Sequence, residues 1–194
     1  MNKLIYLTSN KHKVEEANRH FVKKYGFEID IKNPDFEIIE IQAKSSTDVV
    51  KFSVEYAAKK LKKPVLKSDT ALYIDYLGGL PGPYNAYFDK QIGVKRFLKM
   101  MKGVKNRKAR LEHSFGFCEP GKESVIFSGG SEGKIAKKPK GKRGRWHDLF
   151  YIPKGEKKTL SQLREEDEEY EAQFWGGAID NFAEWYKNKK EINF

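Results

Sequence analysis

Short apolar runs typical of β-strands alternate along this chain with segments whose apolar residues recur at helical spacing. This alternation predicts helices packed against a mixed β-sheet, which is the α/β class. The 194 residues suit a single domain, or two lobes that share a core. Strands are predicted at 3–8, 27–31, 36–41, 64–69, 71–77, 109–118, 123–128 and 149–153, and helices at 12–25, 45–61, 91–102, 158–172 and 178–190.

The chain carries 38 Lys and Arg residues against 27 Asp and Glu residues, a net charge of +11. This surplus favours polyanionic partners such as nucleic acid, phosphorylated small molecules or anionic lipid, although a simply solvated surface carries the same signature. No apolar run approaches the roughly 20 residues of a membrane span, so no membrane partner is expected. The one cysteine, Cys118, excludes an internal disulfide and favours a reducing, cytoplasmic setting. Because Cys118 lies on a predicted strand, we interpret it as a core residue.

The first candidate site is the turn from the first predicted strand into the first predicted helix, residues 8–16. Backbone N–H groups at a helix start bind phosphate. The hydroxyls of Thr8 and Ser9 and the amide of Asn10 add hydrogen bonds, and Lys13, one turn into the helix, can reach the same anion. An ordinary helix N-cap followed by a surface lysine has the same pattern, so both interpretations stay open.

Two acidic residues are candidates for metal binding or water activation. Asp69, within Ser68-Asp69-Thr70, is predicted at a strand end, and Glu40 also lies near a predicted strand end. Carboxylate oxygens suit Mg²⁺, which keeps several waters and bridges the protein to substrate phosphates. A single Asp at such a position is also a common turn residue.

A second basic segment precedes an aromatic one. Residues 134–145 hold seven basic side chains and no acid, which suits phosphate groups. In Arg145-Trp146-His147-Asp148, the Arg145 guanidinium or the Trp146 ring can stack on a base. Asp148 can accept hydrogen bonds from base N–H groups. A nucleic-acid-binding loop would have the same composition.

Together these motifs resemble the inosine/xanthosine triphosphate pyrophosphatase family (Ham1-like), which removes non-standard purine nucleotides. The family pattern T-G/S-N-x-x-K-x-x-E is similar to residues 8–16, and its E-D-S/T-G-L-x-V-x-x-L-x-G-x-P-G-x-Y block is similar to SDTALYIDYLGGLPGPY at 68–84. Its G-x-I block is similar to 133–135, its P-x-G-x-x-G-F-G-Y-D-P-x-F block to PKGKRGRWHDLFY at 139–151, and its T-x-A-E-L helix start to 159–163. Each motif alone is modest, but their shared order and spacing are specific.

The resemblance implies an elongated α/β fold of two lobes with a deep central cleft, formed as one domain over 1–194 and usually assembled as a homodimer. It implies Mg²⁺-dependent hydrolysis of a nucleoside triphosphate, with in-line attack of water and departure of pyrophosphate. The implied catalytic residues are Asp69, which positions or deprotonates the water, and Lys13. The implied metal ligands are Glu40 and Asp69. The implied substrate-binding residues are Thr8, Ser9, Asn10, Lys13, Thr70, Arg145, Trp146, His147 and Asp148.

Three departures from the family pattern affect these expectations. Ser68 stands where the family has Glu or Asp, so one metal-site carboxylate is missing. Arg145 and Trp146 replace the family's stacking Phe and the Gly after it. The family's Ser-His-Arg motif, which reads the 6-oxo group of the purine, is absent from the sequence, and 173–175 occupy approximately that place. Gln173 is a candidate for a different hydrogen-bond pattern, so phosphate chemistry is better supported than the choice of base.

Two functions therefore stay open from the sequence. The first is a nucleoside triphosphate pyrophosphatase with altered base preference. The second is a catalytically altered relative that binds nucleotide or nucleic acid, which the net charge and the basic segment 134–145 favour. The joint presence of Asn10, Lys13 and Asp69 favours the enzyme, because a pure binding protein needs no such set.

Overall fold

The structure, a computed structural model, describes residues 3–33, 35–167, 170 and 177–192. Its strands are β1 (Leu4–Leu7), β2 (Ile29–Lys32), β3 (Val65–Ile74), β4 (Pro81–Gly82), β5 (Lys108–Cys118), β6 (Val125–Ile135) and β7 (Tyr151–Pro153). Its α-helices are α1 (Lys11–Ala17), α2 (Ser46–Leu61), α3 (Asn85–Gln91), α4 (Gly93–Met100), α5 (Leu160–Glu166) and α6 (Ala178–Ile192). A π-helix, Asn18–Lys24, continues α1, and 3₁₀ turns span Asp75–Leu77 and Trp146–Leu149.

The seven described strands form one mixed sheet in the order β2-β1-β3-β5-β6-β7, and β4 pairs with β3 outside this path. Strand β1 pairs in parallel with both β2 and β3, whereas β3, β5, β6 and β7 pair antiparallel in succession. The mixed-sheet α/β prediction is therefore confirmed. The division into two lobes stays a prediction.

The two faces of the sheet are covered by different helices. On one face α2 packs over the strands, and Val54 of the helix joins Ile5, Val65 and Cys118 in one buried cluster. On the other face Phe21 of the π-helix and Phe182 of α6 pack with their ring centroids 5.5 Å apart. Because successive side chains of a strand point to opposite faces, neighbouring residues of β3 contribute to different clusters. The predicted core placement of Cys118 is confirmed.

Several predicted elements differ from the structure. The predicted strand at 36–41 is wrong: residues 37–43 have no regular secondary structure, and Phe36 and Ile38 pack their side chains against the α2 cluster. The predicted helix at 91–102 corresponds to α4, and a further helix that was not predicted, α3, precedes it and is separated from it where Gly93 adopts a left-handed φ of +66°. Strand β7 begins at residue 151 because the preceding residues form a 3₁₀ turn, and α5 ends at Glu166, short of the predicted 172, because Asp167 has an extended backbone.

Strand β3 is also longer than the sequence predicts. The segments 64–69 and 71–77 form one continuous strand that ends at Ile74, so Asp69 lies in the middle of β3 and not at a strand end. The whole of this strand pairs with β5, from Val65 opposite Cys118 to Ile74 opposite Ala109. The polar Ser-Asp-Thr sequence interrupts the apolar pattern without interrupting the hydrogen-bonded ladder.

The start of α2 provides a stability prediction. Ser45 is the N-cap of this helix, and its side chain accepts a hydrogen bond from the Asp48 backbone N–H at 3.1 Å. We expect Ser45→Ala to lower the free energy of unfolding by about 1 kcal/mol, because a helix-terminal N–H loses its acceptor. Urea denaturation checks this value, with Ser45→Asn as the control that keeps a capping oxygen. Equal losses in the two variants would contradict the capping role.

Candidate functional site

Lys13 and Asp69 line the same cavity. They are distant in the sequence, since Ser68, the residue before Asp69, is 55 positions from Lys13. The cavity has a volume of about 220 Å³ and lies between the start of α1, the middle of β3 and the loop before the 3₁₀ turn at 146–149. The sequence-predicted site residues that line it are Asn10, Lys13, Asp69, Thr70, Arg145, Trp146 and His147.

Lys13 is held against β3 by the sheet topology. Strand β1 pairs in parallel with β3, so the turn that follows β1 lies beside the middle of β3. The Lys13 Nζ donates a hydrogen bond to the backbone carbonyl of Ser68 at 2.5 Å. Burial lowers the pKa of the Lys13 ammonium, and the Asp69 carboxylate opposes this shift. The ammonium thus lies beside Asp69 with its position fixed by the strand backbone.

One oxygen of the Asp69 carboxylate has no hydrogen-bond partner among the described residues. Its Oδ2 is buried and lacks a partner within the described part of the chain, and the same holds for the neighbouring Thr70 Oγ1. Burial raises the pKa of the Asp69 carboxyl, while the nearby Lys13 ammonium lowers it. Because buried polar atoms are nearly always hydrogen-bonded in native proteins, an unpaired carboxylate oxygen on a residue that lines a cavity indicates a ligand site.

The residues before α1 form the helix cap. The Asn10 side chain accepts a hydrogen bond from the His12 backbone N–H at 3.0 Å, and Thr8 Oγ1 accepts one from the Asn10 N–H at 3.1 Å. Asn10 therefore both caps the helix and lines the cavity. Thr8 is half-buried and Ser9 is exposed, and neither side chain lines the cavity.

Asn85, which the sequence analysis missed, connects three parts of the site. Its Oδ1 accepts a hydrogen bond from the Trp146 indole N–H at 2.9 Å, and its Nδ2 lies 3.0 Å from His147 Nδ1. The same amide nitrogen lies 3.5 Å from the carbonyl of Thr70. The Trp146 ring also packs on Phe97, with centroids 5.3 Å apart. The loop that carries Trp146 and His147 is thereby tied to β3.

Arg145 and Asp148 are buried inside this loop. The Arg145 guanidinium forms a buried ion pair with Glu16 of α1, another residue that the sequence analysis did not assign. Asp148 is fully buried and accepts a hydrogen bond from the Arg145 backbone N–H at 2.6 Å. Arg164 of α5 lies 3.2 Å from the same carboxylate oxygen. Asp148 does not line the cavity, so in this structure its carboxylate shapes the loop.

Gly144 is required for this arrangement of the loop. Its φ of +90° lies in a region that residues with a Cβ rarely adopt. A Cβ on Gly144 would lie 2.1 Å from Asp148 Oδ2, which is closer than any van der Waals contact allows. The glycine thus lets the Asp148 carboxylate approach the backbone that it holds.

The Asp69 carboxylate suits a metal ion that is also bound by the phosphates of a substrate. Mg²⁺ usually takes one or two protein carboxylates and completes its shell with water and substrate phosphates. Asp69 Oδ2 is available for this role, whereas Glu40 is exposed and lies 3.5 Å from the Nζ of buried Lys67. Across residues 3–33, 35–167, 170 and 177–192, no three His, Cys, Asp or Glu side chains are grouped to hold a metal ion. The donor set therefore fits a phosphate-bridged ion and not a closed protein cage.

Four of the predicted site residues that the structure describes do not line the cavity: Thr8, Ser9, Glu40 and Asp148. Glu40 lies on irregular chain, is exposed, and forms an ion pair with Lys67, which shares a face of β3 with Asp69. Gln173 lies outside the described residues. The sequence did contain an indication that Lys67 belongs near the site. Lys67 interrupts an apolar strand and lies two positions from Asp69, so the two side chains lie on the same face of the strand. Asn85 carried no comparable signal.

Comparison with known proteins gives a consistent result. The sequence model of the Ham1 family matches residues 4–185. A dITP/XTP pyrophosphatase of Methanopyrus kandleri is 37% identical over 186 residues, which cover 96% of this chain and 97% of that protein. A dITP/XTP pyrophosphatase of Methanosarcina mazei is 35% identical, with coverage of 96% and 98%.

Solved structures share the fold at lower sequence identity. The Ham1 protein of Staphylococcus aureus superposes with a TM-score of 0.79 at 22% identity, covering 96% of this chain and all of that one. A HAM1 protein from Coxiella burnetii gives a TM-score of 0.79 at 20% identity, covering 97% of this chain and all of that one. Among the residues that the structure describes, no helix has the length and apolar character needed to cross a membrane.

Proposed function

The chain belongs to the Ham1 family, and from this premise we propose that it hydrolyses nucleoside triphosphates with non-standard purine bases to the monophosphate and pyrophosphate. The observation that carries the proposal is the shared cavity of Lys13 and Asp69, in which Asp69 Oδ2 has no described hydrogen-bond partner. A cationic side chain and an available carboxylate side by side are what phosphate hydrolysis requires.

In the proposed reaction the triphosphate lies between the start of α1 and β3. Lys13 binds phosphate oxygens, and Asn10 contributes its amide at the mouth of the cavity. Asp69 accepts a proton from a water molecule and directs the oxygen at the α-phosphorus. The bond between the α-phosphorus and the oxygen that bridges to the β-phosphorus then breaks, and pyrophosphate leaves. Catalysis consists of positioning and charge stabilisation, so no covalent intermediate is needed.

Mg²⁺ dependence is a further part of the proposal. Asp69 would hold the ion together with substrate phosphates. Glu40, which in this structure is paired with Lys67 and does not line the cavity, would have to reorient to provide a second carboxylate. When bound, the ion supplies charge neutralisation on the phosphate oxygens. Its protein ligands are fewer than the family pattern provides, because Ser68 replaces an acidic residue.

The proposed base-binding side is the part of the cavity next to Trp146 and His147. Both side chains line the cavity and are fixed by Asn85, which supports a preformed base pocket. Arg145 and Asp148 would act by shaping the loop, and Gln173 stays a candidate for direct contact with the base. The homodimer implied by the family resemblance and the cytoplasmic location favoured by the single cysteine belong to the same proposal.

A substrate panel tests the proposal. We expect dITP, ITP and XTP to yield pyrophosphate and the monophosphate, and we expect slower turnover of dUTP and the standard triphosphates. Pyrophosphate and orthophosphate should be measured separately, with and without Mg²⁺ in EDTA-treated protein. Orthophosphate as the first product would contradict cleavage between the α- and β-phosphates.

The same panel tests the competing function. A silent assay with every triphosphate, together with steeply salt-dependent binding of RNA or DNA, would identify a catalytically altered relative that binds nucleic acid. Undiminished activity in EDTA would remove Mg²⁺ from the proposal but leave the hydrolase in place.

A further inference from the structure

Lys67 is a buried lysine in the middle of β3, and the reaction proposed above gives it no role. Only 6% of the residue is exposed, and its neighbours Val65 and Leu66 are completely buried. Lysine is almost never buried to this degree unless its charge is compensated, because desolvation of an ammonium is costly. The position therefore requires an explanation beyond the folding of the strand.

Lys67 does not itself line the catalytic cavity, but its ammonium is close enough to Lys13 and Asp69, which do, to interact with both. Its Nζ is 3.5 Å from Glu40 Oε1, and the Glu40 side chain is 65% exposed, so the pair opens to solvent on one side. Lys67 and Asp69 are two residues apart on one strand and share its face. Lys13 and Asp69 both act electrostatically on Lys67. Two ammonium groups and two carboxylates thus form one cluster.

A purely structural role explains this arrangement poorly. A separation of 3.5 Å exceeds the usual length of a hydrogen bond, and an ion pair with an exposed partner contributes little to stability. An apolar side chain of similar length would fill the same space without the cost of a buried charge. A ligand with several negative charges, in contrast, would be attracted to Lys13 and Lys67 together.

The charge of the cluster also fits a polyphosphate. Ser68 is neutral at the position where the resembled family has an acidic residue. The cleft thus lacks one negative charge while Lys67 contributes a positive one. Such a site needs less help from a divalent cation to attract phosphate oxygens.

We propose that Lys67 is a phosphate-binding residue of this cleft, whose ammonium beside Glu40 contacts the substrate polyphosphate and takes over part of the charge neutralisation. This inference rests on the proposed function. It has one consequence that metal-dependent binding alone does not have: the protein binds polyphosphate without a metal, and this binding depends on Lys67.

Metal-free binding of inorganic tripolyphosphate provides the test. Isothermal titration calorimetry in EDTA should compare wild-type protein with Lys67→Met, which keeps the length of the side chain but removes its charge. We expect the affinity to fall about tenfold or more, as the loss of one charge-assisted hydrogen bond implies. Lys67→Arg should retain most of it. Lys63→Met, at an exposed lysine just before β3, should bind like the wild type.

Two results would overturn the inference. Equal affinity of Lys67→Met and wild type would make Lys67 only a counter-ion for Glu40, and equal losses in Lys67→Met and Lys63→Met would indicate unspecific attraction by surface charge. Thermal melting checks the fold of each variant. If Lys67→Met does not fold, Lys67→Gln replaces it, with the same expected loss.

The inference and the proposed function fail in different ways. Turnover of dITP or XTP by the wild type, with unchanged metal-free binding in Lys67→Met, would refute only the role of Lys67. Absence of turnover, with metal-free binding that requires Lys67, would refute only the reaction.

Discussion

Asp69→Asn is expected to reduce kcat by about 10²–10⁴-fold, the usual contribution of a positioned general base. Asparagine has nearly the same shape, but it cannot accept the proton of the attacking water and binds a divalent cation less strongly. Substrate binding should change much less than kcat, because Lys13 and Asn10 remain in the cavity. Steady-state kinetics with dITP or XTP, measured as pyrophosphate release, gives both quantities.

Asp75→Asn is the matched control for this variant. Asp75 follows β3 directly, is exposed and does not line the catalytic cavity. We expect its kcat and KM to equal those of the wild type. The free energy of unfolding should not fall in Asp69→Asn, since the substitution removes a buried charge. Full activity in Asp69→Asn would mean that the water is activated elsewhere and that the proposed mechanism is wrong.

Arg145→Met is expected to lower the free energy of unfolding by about 3–5 kcal/mol, the usual effect of removing one partner of a buried ion pair. Arg145 is 8% exposed and its partner Glu16 is 4% exposed. The substitution leaves the Glu16 carboxylate buried without the guanidinium, and desolvation of that charge is the main cost. Chemical denaturation at neutral pH measures the change.

The double variant Arg145→Met/Glu16→Met separates the loss of packing from the loss of charge pairing. It should recover most of the stability, because replacing both members of a buried pair by apolar residues is often neutral. Arg143→Met, at an exposed arginine of the same loop, should have little effect. If the double variant is as unstable as Arg145→Met, the shape of the arginine matters more than its charge.

Arg145 forms a contact that the local sequence pattern did not predict. From the sequence, the Arg145 guanidinium and the Trp146 ring were alternative candidates for stacking on a base. The ion pair with Glu16 joins residues 129 positions apart, one in α1 and one in the loop after β6. No local pattern carries information about such a pair, since a charged residue has the same sequence signature in either environment.

The incorrect strand at 36–41 has a related cause. Its alternation of apolar and polar residues is real, but residues 37–43 join none of the seven described strands of the sheet. The alternation is instead used by Phe36 and Ile38, which pack against the cluster under α2. A strand needs a partner with free hydrogen-bonding groups, and the availability of that partner is a property of the whole fold.

The sequence by itself determined the mixed α/β class, the turn from β1 into α1 with its lysine, and the family, because periodicity and ordered motifs are local properties of the chain. Only the tertiary structure decided that Lys13 and Asp69 line one cavity, that Asn85 joins the base-side loop to β3, and that Lys67 lies beside Glu40. These spatial contacts depend on the order of the strands and on which side chains are buried. Both are set by the packing of the entire chain.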